Sequence, residues 1–473
     1  MSTTRTVSKN FISLTIADFL NNALAFLAIA YLARVLKADG FGKVQFAQAI
    51  MVYFLLVVNQ GLSTFGVREI AREIINVKTY TNHILTIRLF LSLISYIILV
   101  LFVLCINQSP EIKKLLLIYG FSLFTFSLTL DWVFQGIEKM EYVALGRIIN
   151  QVIYVSGLFL LVKNWDQLLR VPAIRVVAAM MGAIILGYFF IKRGGVIKLS
   201  CDLQIWRQIL KQSIPMGVSL IVIQLYYSLD TVILGFMKGV TVVGWYNAAY
   251  KIVLLFTGFA SLFGIVVFPV LSRCYKESLD QLQKFVYQFS RLTIFFGAPI
   301  AVGGMILSDQ IIRFVYGSAY QLSILPLQIL IWSVFTVYCN CSFAFCLLAS
   351  DRQKEYMYSV LTGAVVNLTL NLILIPKYSM LGASIATIVS EVITLGLILY
   401  YSRRIVKSIP WIDLLKVLGS SFFMGLVLYS FSGNLIIKVF IGIVVYLGAM
   451  IILGGIHKED VKWLKQIIKA QRE

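Results

Sequence analysis

Charged residues are scarce in this sequence. Asp, Glu, Lys and Arg make up 13% of the 473 residues, about half the share of an ordinary soluble domain. Histidine occurs twice, and the six cysteines have no spacing that fits a metal site. The composition therefore excludes a soluble globular protein. It also leads us to expect no metal site and no cofactor.

The motifs that carry soluble enzyme chemistry are missing as well. The sequence contains no GxxxxGK[ST], HExxH or GxGxxG motif and no nucleophile elbow. Without a phosphate-binding loop, direct use of ATP by this chain is not expected. We therefore predict that the protein is not an enzyme.

Apolar stretches long enough to cross a bilayer recur from end to end of the chain. A transmembrane helix needs about 20 apolar residues, and hydrophobic residues make up 60% of the sequence. We predict an all-α membrane protein with about fourteen transmembrane helices. The first stretch contains Asp18, Asn21 and Asn22 and no small-residue cleavage site, so we expect an uncleaved span rather than a signal peptide.

The basic residues are distributed unevenly between the predicted loops. With the N-terminus placed in the cytoplasm, 27 of the 41 Lys and Arg fall on the cytoplasmic side and 11 on the other. This distribution predicts cytoplasmic N- and C-termini and an even number of spans. It also accounts for the net charge of +20 without a nucleic-acid partner.

Weak internal repeats divide the chain into two halves. GFGKVQFAQAI (40–50) follows the first predicted span, and VVGWYNAAYKI (242–252) follows the seventh. We predict two six-helix lobes related by a pseudo-two-fold axis along the membrane normal. The predicted divisions are an N-terminal lobe (1–191), a cytoplasmic linker (192–209), a C-terminal lobe (210–402), and two further helices with a basic tail (403–473).

Polar side chains recur at helical spacing inside the predicted spans. Such residues are costly in lipid and usually face a cavity or a partner. We predict that they line a hydrated cavity for a large anionic cargo: Asp18, Asn21, Asn22, Arg147, Asn150, Gln151, Tyr226, Tyr227, Lys251, Asn367 and Asn371. Asp230 and Glu391 are the candidates for coupling transport to an ion.

Each polar position also has a structural alternative. The Asn and Gln side chains could hydrogen-bond between neighbouring helices, and Asp230 could pair with Lys251. The cations Arg88, Arg147 and Arg291, predicted near the cytoplasmic boundary, could extend their side chains to the membrane surface.

Several segments resemble the polysaccharide flippases of the O-antigen transporter type, within the multidrug/oligosaccharidyl-lipid/polysaccharide exporter superfamily. They are YLARVLKADGFGKVQFAQA (31–49), GLSTFGVREIAR (61–72), DWVFQGIEKMEYVALGR (131–147) and VGWYNAAYKI (243–252). The resemblance implies alternating access and transport of an undecaprenyl-diphosphate-linked oligosaccharide across the bacterial cytoplasmic membrane, coupled to an ion gradient. It also implies gating or packing roles for Arg68, Glu69 and Arg72, and polymerase and chain-length proteins of the same pathway as partners.

Two other functions compete with this hypothesis. A membrane-embedded polymerase or glycosyltransferase for lipid-linked sugars would need a sizeable outer loop with catalytic groups, whereas the predicted outer loops are short and carry no histidine. A drug/cation antiporter of the same superfamily would favour acidic, aromatic pockets over mixed basic stripes. The sugar, the coupling ion and the final polymer are not determined by the sequence.

Overall fold

The computed structural model describes residues 3–406 and 410–455, without the side chains of 3–19, 74, 218–223 and 225–227. Within these ranges the regular elements are seventeen α-helices and three short 3₁₀ turns. The helices are α1 (Thr3–Asn59), α2 (Leu62–Arg72), α3 (Val77–Cys105), α4 (Pro110–Gly120), α5 (Ser122–Leu128), α6 (Asp131–Gly136), α7 (Met140–Leu161), α8 (Arg170–Lys192), α9 (Leu203–Met237), α10 (Val240–Glu277), α11 (Leu279–Ile306), α12 (Ser308–Tyr316), α13 (Ile324–Leu330), α14 (Trp332–Ala349), α15 (Gln353–Ser402), α16 (Trp411–Ser430) and α17 (Leu435–Ile452). The predicted all-α class is confirmed.

Eleven helical segments among the described residues are long and apolar enough to cross a membrane. Two of them, Leu20–Arg72 with 53 residues and Gln353–Ser402 with 50, are longer than one crossing requires. Each is interrupted by a non-glycine residue with positive φ, Lys37 at 56° and Ser379 at 54°. Each can therefore hold two crossings, while the count of fourteen stays a prediction.

The internal repeat is visible in the backbone. Lys37 (φ 56°, ψ −177°) precedes the GFGKVQFAQAI segment, and Gly239 (φ 90°, ψ 162°) precedes its counterpart by the same number of residues. Further along the chain, α3 begins at Val77 and α11 at Leu279, which keeps the same offset between the two halves. The weak sequence match therefore corresponds to a repeated order of turns and helices.

The segment that leads into α9 is held against α3. Helix α9 begins at Leu203 rather than near 210, because Asp202 accepts hydrogen bonds from the first backbone amides of this helix. Upstream, the Lys198 amide donates to Asn82 Oδ1 at 2.9 Å and the Ser200 amide to Thr86 Oγ1 at 3.0 Å. Since Asn82 and Thr86 are one turn apart on α3, the extended segment follows that helix.

The described chain forms two compact units, one up to residue 235 and one from residue 236 onward. The core of the first unit includes Leu62, Trp132 and Phe190 and joins α2, α3, α6 and α8. The second unit has one core around Phe289 and Leu347 and another that joins α11 to α16 and α17. The predicted boundaries of the two six-helix lobes stay a prediction.

Candidate functional site

The predicted polar stripe on α7 is present in the first unit. Arg147 forms an ion pair with Asp131 of α6, with Nε to Oδ2 at 3.7 Å and both side chains partly exposed. Asn150 lies against Gly182 of α8, and its Oδ1 is buried without a hydrogen-bond partner among the described residues. Gln151 is 5% exposed. The stripe therefore faces α6 at one end and α8 further along.

An arginine that the sequence analysis did not select, Arg175 of α8, completes a polar cluster with this stripe. Its guanidinium lies over the Tyr154 ring at 4.9 Å and donates to Gln151 Oε1 at 3.4 Å. Nearby, Gln48 of α1 donates to the Tyr119 hydroxyl at 3.0 Å. Four helices thus place one cation among neutral polar groups, and we call this set of five residues the Arg175 cluster.

Arg88 of α3 is buried in the first unit. It is 1% exposed, donates to Asn59 Oδ1 at 3.1 Å and to Ser63 Oγ, and lies over the rings of Phe126 and Trp132, at 5.2 and 5.5 Å from their centres. This burial contradicts the alternative in which its side chain extends to the membrane surface. Hydrogen bonds and aromatic faces replace water around the guanidinium, so the arginine ties α3 to the junction of α1 and α2.

Arg291 is also held inside the protein rather than at the surface. Its Nε lies 3.1 Å from Asp413 Oδ2, and the two side chains are 12% and 13% exposed. The Tyr287 hydroxyl donates to the same carboxylate at 3.0 Å. The pair joins α11 to α16, and its burial contradicts the alternative in which Arg291 extends to the membrane surface.

The three residues from the second-loop motif connect α2 to α9. Arg68 Nε lies 2.7 Å from Glu69 Oε1, and its Nη2 donates to Gln212 Oε1 at 2.7 Å. Arg72 contacts the same Glu69 oxygen at 3.4 Å. These contacts favour packing between α2 and α9, and a gating role stays a prediction.

The remaining candidates of the first unit lie on α1 and α9. Asn21 is partly buried and Asn22 is exposed. Asp230 is 3% exposed, and its Oδ1 accepts a hydrogen bond from the Thr231 amide at 2.7 Å. The side chains of Asp18, Tyr226 and Tyr227 lie outside the described residues.

In the second unit, Glu391 accepts a hydrogen bond from the Thr336 hydroxyl of α14 at 2.9 Å. The same seam includes Asn371, which donates to Asn367 Oδ1 at 2.9 Å, and Asn367, which donates to Ser390 Oγ at 3.3 Å. The asparagines at 367 and 371 are nearly inaccessible, at 3% and 0% exposure. Their contacts fit the helix-packing alternative. The other candidate of this unit, Lys251, is partly buried.

The second unit also contains an apolar cavity of about 520 Å³ that the sequence did not reveal. Its walls come from α10, α11, α12, α13, α16 and α17, and include Phe256, Pro299 and Met424. The hydroxyl of Tyr446, which also lines it, is bonded to the Phe295 carbonyl at 2.7 Å. No carboxylate or cation is among the lining residues, so the cavity suits a hydrocarbon chain rather than a charged molecule.

Two features of this site, Arg175 and the apolar cavity, were not selected by the sequence analysis. Arg175 is a single cation in an apolar helix, and three of the helices that surround it lie earlier in the chain. The cavity is built from six helices, whose apolar residues cannot be told from lipid-facing residues in the sequence. One sequence signal could have identified Arg175: it falls within a predicted span and in none of the predicted loops.

Comparison with known proteins finds two family models that match this chain and several proteins with similar sequences. The family model described as polysaccharide biosynthesis protein matches residues 7–275, and the MatE model matches 215–373. A Shigella dysenteriae protein, whose name describes an O-antigen transporter, is 25% identical over 82% of this chain and 98% of its own length. A Haloferax volcanii protein, named for a low-salt glycan biosynthesis flippase, is 24% identical over 92% and 93%.

A solved structure has a similar fold. The lipid II flippase MurJ, in an inward closed conformation, aligns with a TM-score of 0.76 at 20% identity, over 93% of this chain and 98% of its own. The resemblance drawn from the sequence motifs is thereby confirmed. Since the matched family model covers more than half of the sequence, this multi-pass membrane protein belongs to the polysaccharide biosynthesis protein family.

Proposed function

We propose that this chain is a flippase for undecaprenyl-diphosphate-linked oligosaccharide units. It moves them from the cytoplasmic to the outer leaflet of the bacterial cytoplasmic membrane for O-antigen or other surface polysaccharide synthesis. It acts by alternating access, without catalysing a reaction, and with its N- and C-termini in the cytoplasm. Its partners are the lipid-linked unit, membrane lipid, and the polymerase and chain-length proteins of the pathway.

The observation that carries the proposal is the apolar cavity, in a chain that elsewhere buries cations, amides and hydroxyls such as those of Arg88, Asn367 and Ser390. A polyprenyl chain is a hydrocarbon and fits walls without charge, whereas its diphosphate and sugars need cations, amides and hydroxyls. A cationic drug would need a carboxylate in such a cavity, and none lines it. The drug antiporter alternative is therefore less well supported.

Deletion of the gene in its host tests the function. Lipid-linked units should accumulate on the cytoplasmic leaflet, and surface polysaccharide should fall at least tenfold and return on complementation. The control is the deletion strain that carries the gene for another flippase with the same cargo. Unchanged surface polysaccharide and an unchanged leaflet distribution, without a compensating relative, would refute the proposal.

We further propose that Glu391 takes part in ion coupling. Its carboxylate is held by Thr336 inside a helical seam, and a carboxylate at such depth can bind a proton or a metal cation. Glu391→Gln should reduce gradient-driven transport in proteoliposomes at least tenfold while the protein still inserts. The matched control is Thr336→Val, which removes the hydrogen bond to Glu391 but keeps the charge of its carboxylate. Equal gradient dependence in wild type and Glu391→Gln would remove Glu391 from the mechanism.

The second coupling candidate, Asp230, lies in the first unit and is tested in the same assay. Asp230→Asn keeps the size and the hydrogen bond to the Thr231 amide but removes the charge. A reduction confined to gradient-driven transport would support a coupling role. Full activity would leave Asp230 with a structural role only.

A further inference from the structure

The cations inside the helical spans differ in how their charge is balanced. Lys43 pairs with Asp39 and Glu111, and Arg147 and Arg291 each pair with one aspartate. Arg88 has no carboxylate within ion-pair distance among the described residues but is enclosed by hydrogen bonds and two aromatic rings. A cation in lipid is costly, so these partners explain how the chain tolerates its charges.

Arg175 does not follow this pattern. Its partners within the described part of the chain are the Tyr154 ring and Gln151, both neutral, and no carboxylate there lies within 4.0 Å. Its side chain is also only partly buried, unlike that of Arg88. A guanidinium that stays accessible and lacks a counter-charge is suited to bind an anion from outside the protein.

The position of Arg175 relates it to the predicted path of the cargo. Tyr154, on which it stacks, follows Arg147 by two helical turns of α7, about 10 Å along the helix axis. Arg147 lies in the first half of α7 and Arg175 in the first half of α8, so the two cations lie on opposite sides of the middle of the antiparallel α7–α8 hairpin. On the predicted topology, Arg175 lies toward the outer leaflet.

We propose that Arg175, with Gln151 and Tyr154, forms an anion site that binds the diphosphate of the lipid-linked cargo in the outer half of the first unit. The planar guanidinium can donate two parallel hydrogen bonds to phosphate oxygens. The Tyr154 ring holds its orientation, and Gln151 adds an amide donor. This assignment rests on the proposed function, because it takes the cargo from there.

Binding measurements on the full chain in phosphatidylcholine nanodiscs test the site. The probe is undecaprenyl diphosphate, with uncharged undecaprenol as the probe control. Arg175→Gln should weaken undecaprenyl diphosphate binding at least tenfold and leave undecaprenol binding unchanged. Arg170→Gln is the matched variant control, since Arg170 begins α8, is exposed and contacts the Leu161 carbonyl. It should bind like wild type.

Two further variants keep the test decisive if Arg175→Gln does not fold. Arg175→Lys preserves the charge without the paired donors and should bind with intermediate affinity. Tyr154→Leu removes the ring under the guanidinium and should also weaken diphosphate binding. Wild-type affinity in Arg175→Gln, or in both of these variants, overturns the proposal.

The competing source of the anion is a lipid headgroup. In nanodiscs containing phosphatidylglycerol, a headgroup site would make Arg175→Gln change lipid retention while undecaprenyl diphosphate binding stays equal to wild type. That result overturns the assignment. Loss of diphosphate binding in Arg175→Gln together with normal surface polysaccharide in a gene deletion would instead retain the site and refute the flippase function.

Discussion

At the scale of single residues, the contribution of an arginine–aspartate ion pair to stability depends on how deeply the pair is buried. The Arg313–Asp309 pair on α12 is shorter than Arg291–Asp413, at 2.7 against 3.1 Å, but its side chains are about half exposed. Water already solvates the exposed pair, whereas the buried pair has given up its hydration. The contribution of each pair to stability therefore depends on its burial rather than on the distance between its charged atoms.

Removal of one partner from the buried pair should destabilise the protein strongly. Arg291→Met leaves the buried Asp413 carboxylate without the arginine that balances its charge, at a cost of about 3–5 kcal/mol. Arg313→Met should cost less than about 1 kcal/mol. Thermal unfolding in one detergent compares them, and the double variant Arg291→Met/Asp413→Leu should recover much of the loss. Equal losses for the two single variants would contradict this account.

The sequence was informative about which residues are polar in the spans, but not about what they contact. Asn367 and Asn371 were selected by their spacing, and they do lie on one face of their helix. The sequence did not show whether that face meets water or another helical segment. In the structure Asn367 meets Ser390, which lies 23 residues further along the chain, beyond the interruption of α15 at Ser379. Arg175 was missed for the same reason, since its environment is assembled from other helices.

At the scale of elements, the break between α1 and α2 determines how α9 packs. Gln60 and Gly61 both have positive φ, at 36° and 76°. A Cβ on Gly61 would come within 2.3 Å of the Ser213 carbonyl oxygen and 2.6 Å of the Gly217 nitrogen. The backbone of α9 therefore contacts this break directly, and only glycine leaves room for it.

Two glycine substitutions separate backbone strain from this close contact. Gly194 has a similar φ of 80°, but a Cβ added there would have no neighbouring atom within 4 Å, so Gly194→Ala should cost only about 1–2 kcal/mol of strain. Gly61→Ala adds overpacking of about 1–3 kcal/mol. Apparent melting temperatures of the two variants provide the comparison. A Gly61→Ala protein as stable as Gly194→Ala would mean that α9 is not held at this point.

The elements themselves were largely predictable from hydrophobicity, while their ends were not. Apolar stretches identified the helices because lipid demands long runs of apolar residues. The early start of α9 depends on Asp202 as an N-terminal acceptor and on the contact of Ser200 with Thr86. The contacts of a few polar atoms determine where such a helix begins, and the hydropathy of the sequence does not reveal these contacts.

At the scale of the whole molecule, the orientation in the membrane follows from the distribution of basic residues and can be tested with native cysteines. Cys105 ends α3 and Cys201 lies in the segment before α9, and both are exposed. Since α3 runs outward on the predicted topology, Cys105 should face the outer side and Cys201 the cytoplasm.

A membrane-impermeant maleimide applied to intact spheroplasts should therefore label wild type and Cys201→Ser but leave Cys105→Ser largely unlabelled. After permeabilisation, Cys105→Ser should become labelled because the reagent then reaches Cys201. The remaining cysteines are partly or fully buried, which keeps their background low in folded protein. Labelling that depends on Cys201 in intact spheroplasts would reverse the orientation. Every inference that places Arg175 in the outer half of the membrane would then place it on the cytoplasmic side.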